Sequence, residues 1–179
     1  MKLIRTIRLD PSDTFVFEKA AEPGEWAVSG AFVFWNRDPA TLEGKARTAF
    51  RSGFLGISTL GWSTLVQIVE ASEDDRTAVI DTLAKQLIAN FGAPTVGDAA
   101  AAAEEEVAFV ESLCTQPSDT LIAVHRTFEE GAVRESFRTL RPRSGAKPAR
   151  AFSFLDVEGE DDLLNDEVNL VAMTEREQK

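Results

Sequence analysis

Two stretches of helical periodicity stand next to each other in the middle of this chain, and both ends alternate as strands do. Over residues 73–91 the apolar side chains Val79, Ile80, Leu83, Leu87, Ile88 and Phe91 recur at the spacing of one helix face. Ser72 offers an N-cap with Asp75 three residues on, and Gly92 and Pro94 follow as stop and breaker. A second helix is expected over residues 98–114, where a polyalanine start favours helix. In it Val107, Val110, Leu113 and Cys114 face inward, and Glu104, Glu105 and Glu106 largely outward. This order predicts an α+β fold: a mostly antiparallel sheet built from N- and C-terminal strands, packed against two or three central helices. With no internal repeat and no clear linker, residues 1–179 read as one domain.

The first third supplies the N-terminal β segments. Residues 3–9 form a strand closed by the turn cluster Asp10-Pro11-Ser12-Asp13, and residues 14–18 continue in the same character. Pro23-Gly24 suits the centre of a type II turn. Residues 26–35 then read as the clearest strand, with apolar or small groups at even positions and a second face that is also partly apolar. A short helix over residues 38–53 follows, begun by Asp38-Pro39, ended by Gly53 and burying Leu42, Ala46, Ala49 and Phe50. Residues 54–71 make one strand, or two with a bend at Gly61.

The last third returns to β over residues 120–129, 132–140 and 150–157, with a final edge strand over residues 167–173. Glu130-Gly131 joins the first two as a hairpin. A two-residue loop sets the register: Phe128 faces Val133, Arg126 faces Glu135, Val124 faces Phe137 and Ile122 faces Thr139. That face is apolar with one cross-strand ion pair. The other carries His125 opposite Ser136, with Arg134 and Arg138 nearby; a one-residue slip would bury the arginines instead.

Composition narrows the function classes. The chain is 44% hydrophobic, which excludes a disordered polymer. One Cys and one His exclude an intramolecular disulfide and the common His- and Cys-rich zinc sites. A net charge of −11 argues against nucleic acid as partner, since phosphate binding needs cations. No apolar run is long enough to span a membrane, and Arg5 and Arg8 interrupt any signal-like start, so a cytoplasmic protein is expected.

No catalytic constellation stands out, and neither a cofactor nor a metal site is expected. The candidate ligand-binding residues are His125, Ser136, Arg134 and Arg138: a histidine facing a serine, flanked by arginines suited to an anion. Against this stands a solvated histidine on a polar sheet face. Cys114 follows four glutamates and points inward, which suits a buried structural thiol. Ser58 and Ser63 each follow a glycine by two but lack the second glycine of a nucleophile elbow. Residues 134–150 carry a net charge of +5 and residues 156–167 one of −7. These segments either lie against each other or steer partners. The acidic one lacks the twelve-residue calcium-loop layout.

The opening residues 2–15, the segment Trp26-Ala27-Val28-Ser29-Gly30 and the segment Phe152-Ser153-Phe154-Leu155-Asp156 resemble a small uncharacterised bacterial family, a domain of unknown function. The resemblance covers nearly the whole chain and carries no motif with a chemical role. It implies a helper role beside molybdenum-dependent formate dehydrogenases. The expectation is a non-enzymatic accessory or interaction protein whose partner is another protein or a second copy, bound at the apolar second face of residues 26–35. The competing expectation is an anion-binding protein or minor enzyme using a sheet-face pocket near His125.

Overall fold

Strand β1 (Lys2–Ile7) pairs antiparallel with β5 (Leu65–Glu70) in the computed structural model, which describes residues 1–142 and 155–158. The main sheet continues through β6 (Leu121–Glu129), β7 (Ala132–Pro142) and β8 (Leu155–Glu158), in the order β1-β5-β6-β7-β8 with every pairing antiparallel. N- and C-terminal strands thus share one sheet around a helical middle, an α+β architecture. A smaller sheet of β2 (Ala27–Val28), β3 (Phe54–Gly56) and β4 (Trp62–Ser63) lies beside it, which the alternation did not separate out.

Two helices pack their apolar faces into the core. Helix α3 (Glu73–Phe91) has the expected bounds and buries Val79, Leu83 and Leu87, while Ile88 turns to solvent. Its capping box is complete: the Asp75 N–H donates to Ser72 Oγ at 3.1 Å, and the Ser72 N–H donates to Asp75 Oδ2 at 2.9 Å. Ser72→Ala leaves the Asp75 N–H without its acceptor while the backbone half of the box remains, and is expected to cost about 1 kcal/mol, read in urea unfolding. Helix α4 (Val96–Leu113) starts earlier than expected because Thr95 takes the cap, accepting from the Asp98 N–H at 3.1 Å. It buries Ala99, Ala103, Val107 and Val110. Arg76 ties the pair together, reaching Glu104 and Glu111 of α4 at 3.1 Å each. Cys114 is buried at the end of α4, and burial pushes its thiol up to about 11, an inert state.

Several expectations fail in the first third. Residues 14–18 are not β: Asp13–Val16 form the single-turn helix α1, held as the buried Asp13 carboxylate accepts from Thr64 Oγ1 at 2.8 Å. Residues 26–35 are not one strand. After β2 the chain turns at Gly30, with φ +81°, into a 3-10 turn over Ala31–Phe34. An apolar run with two apolar faces fits a strand and a buried turn equally well by period alone. Aromatic packing decides it: Phe34 stacks on Trp62 at 5.4 Å and meets Phe50 edge-on at 5.3 Å. The helix expected over residues 38–53 divides into a 3-10 turn, Pro39–Thr41, and α2 (Gly44–Ser52), since Leu42 and Glu43 are extended between them.

Candidate functional site

The β6–β7 hairpin closes through Glu130 and Gly131, with φ +53° and +78°. Two positive φ values match the right-handed twist of the strands and fix a two-residue loop. The register follows as the sequence requires: Arg126 opposite Glu135, Val124 opposite Phe137, His125 opposite Ser136. The hairpin therefore has an inner face toward the helices and an outer face carrying the candidate ligand-binding residues.

On the outer face, His125 and Ser136 are neighbours across the ladder, and both are exposed. The Ser136 hydroxyl donates to the backbone carbonyl of His125 at 3.3 Å. Partial desolvation, then the charges of Arg51 and Arg138, hold the His125 ring below its ordinary value and favour its neutral form. Arg138 stands opposite Ala123 in the register. Arg134 is drawn toward the turn instead, 3.3 Å from Glu129 and 3.7 Å from Glu130. The hairpin thus brings His125, Ser136 and Arg138 together and engages Arg134 elsewhere.

The inner face holds a group that pattern reasoning noted only as an ion pair. Arg126 is fully buried. Its Nη1 donates to the carbonyls of Phe50 at 3.1 Å and Gly53 at 2.7 Å, and its Nη2 donates to the carbonyl of Ser29 and to Ser29 Oγ at 3.1 Å. The guanidinium so caps the C-terminal end of α2, where orphan carbonyls and the helix dipole both favour a cation. Glu135 lies 3.4 Å from Arg126 Nε and accepts from the Ser29 hydroxyl at 2.6 Å.

Helix α4 adds a second carboxylate. Burial first, then the negative charge of Glu135, push Glu106 up to about 7, with Arg126 pulling the other way. The expectation that Glu106 faces outward is corrected: it lies three residues from Ala103 and four from Val110, both buried, and this spacing was the signal to read. Arg126 Nε and Glu106 Oε2 are buried, and neither makes a hydrogen bond among the described residues. A carboxyl shifted this far marks functional sites and ion-pair networks alike.

The matched sequence pattern spans residues 1–154, so it contains both faces of the hairpin and all of α4. The chain belongs to the DUF6505 family, a family of unknown function. No curated protein and no solved structure matches it. Membership leaves the chemistry to be argued from the residues themselves.

The charged segments fall partly within view. The β7–β8 register sets Arg141 opposite Asp156, where the basic stretch meets the acidic one. The strand expected over residues 167–173 lies outside the described residues. Among the described residues no helix is long and apolar enough to cross a membrane.

Proposed function

We propose that this chain is a non-catalytic interaction protein that binds another protein through the turn ending at Trp35. The observation supporting this is the exposure of Trp35, 84%, directly after a segment whose other large side chains pack inward. The apolar sheet face first expected to bind a partner is replaced by this single projecting indole. Tryptophan is among the residues that most often dominate a protein interface. Large apolar side chains also stand out at the hairpin end, where Phe128 and Val133 face each other across the ladder at 43% and 40% exposure. The family resemblance extends the reading to a cytoplasmic accessory role in a bacterium, with a molybdenum-dependent formate dehydrogenase as the partner.

Trp35→Ser tests it. The substitution is expected to leave the melting temperature within about 1 °C, since an exposed side chain with few contacts contributes little. Affinity capture from the native host and light scattering of the purified chain then compare the two forms. Loss of a specifically bound protein, identified by mass spectrometry, in the variant alone supports the reading. Retention of the same protein by both forms overturns it, and loss of a dimer alone assigns the indole to self-association.

A further inference from the structure

Helix α4 meets the hairpin at one cation and two carboxylates: Arg126 from β6, Glu135 from β7 and Glu106 from α4, with Glu105 adding a further negative charge from the same helix. The two acids are held differently. Glu135 has the Ser29 hydroxyl as donor and the Arg126 guanidinium beside it. Glu106 has its Oε2 buried with no donor among the described residues. One guanidinium cannot compensate both carboxylates while also serving the carbonyls of Phe50, Gly53 and Ser29.

We propose that Glu106 is a proton-operated latch between α4 and the hairpin, closed when its carboxyl is protonated and loosened when it ionises. Protonation removes the like-charge repulsion with Glu135 and provides an O–H donor. Ionisation leaves a buried negative charge in excess. What the latch controls follows from the next turn of α4. Phe109, three residues beyond Glu106, packs edge-on against Phe137 of β7 at 5.8 Å, and Phe137 lies 6.2 Å from Phe54 of the small sheet. Phe109 is already 39% exposed, and Phe128 and Val133 continue the same face of the hairpin toward the turn. Loosening α4 here uncovers Phe137 on the inner face of the hairpin, across the Arg126–Glu135 pair from Phe128 and Val133.

The direction of the pH dependence is fixed by linkage. An acid whose carboxyl is raised from its ordinary value of 4.5 to about 7 binds more protons folded than unfolded in that interval. Stability then falls as pH rises across the interval and levels off above it.

The test is a carboxyl-carbon NMR titration of the full chain, joined to amide hydrogen exchange and thermal unfolding from about pH 5 to about pH 8. The wild type is expected to show one glutamate carboxyl titrating near neutrality that is missing from Glu106→Gln. Protection of the amides around residues 103–110, corrected for intrinsic exchange, falls about tenfold on raising the pH. Glu106→Gln keeps that protection constant, and its melting temperature gains about 5 °C on the wild type between the two ends of the range. A wild type with no glutamate titrating between about pH 6 and 8 overturns the proposal, and needs no variant to fold. So does a Gln variant that keeps the wild-type pH dependence.

Discussion

Arg126→Ala is expected to lower the stability of this chain by about 3 to 5 kcal/mol, measured by urea unfolding at neutral pH. The loss has two sources. The carbonyls of Ser29, Phe50 and Gly53 lose their guanidinium donor inside the protein, and each unsatisfied acceptor carries a desolvation penalty. The carboxylates of Glu135 and Glu106 also lose the guanidinium beside them. Such a loss is a large part of the total for a domain of this size. Arg126→Met removes the same donors and charge but keeps an apolar stem, so the difference between the two variants reports packing alone. Both variants are expected to be less impaired near pH 5 than near pH 8, since acid neutralises Glu106 in place of the missing cation. A loss below about 1 kcal/mol for Arg126→Ala would show that water or rearranged side chains replace the guanidinium.

Gly30→Ala is the second large effect, about 2 to 4 kcal/mol of destabilisation and a melting temperature lower by roughly 10 °C. The backbone at Gly30 has φ +81°, a left-handed conformation that any side chain resists. A Cβ there would stand 2.7 Å from Leu55 Cβ and 2.9 Å from Trp62 Cζ3. Neither neighbour can retreat. Leu55 belongs to β3, and Trp62 also packs closely on Gly53, where a Cβ would come within 2.6 Å of Trp62 Cε3. Gly24→Ala is the control: its φ is +84° but open space surrounds it, so only the backbone cost of about 1 kcal/mol is expected. Equal losses at the two positions would refute the packing argument.

The parts of the fold that rest on local chemistry were legible. Helix α3 announces itself through Ser72, Asp75 and Gly92, each acting within a few residues. The hairpin register followed from Glu130-Gly131 and the requirement that Arg134 and Arg138 stay outside. What failed was decided by distant residues. Nothing within residues 26–35 reveals that Trp62 waits to stack on Phe34, so an apolar run was read as strand. Glu106 was hidden by its exposed neighbours Glu104 and Glu105, and only its spacing from Ala103 and Val110 distinguishes it. Of the candidate ligand-binding set, the placement of His125, Ser136 and Arg138 on one outer face was readable from the register. The pull of Glu129 and Glu130 on Arg134 depends on turn geometry that alternation does not describe.

The bonds from Arg126 also set an order of events in folding. They join β6 to carbonyls 97, 76 and 73 residues earlier in the chain. While the protein is being synthesised, the small sheet and the end of α2 can form early, but their inward carbonyls stay without this donor until residue 126 has been made. Contacts of such long range are slow to form because the intervening chain must first be ordered. The N-terminal third is therefore fastened in part by a residue from the C-terminal third, and its inward carbonyls gain their donor only after most of the described chain has been made.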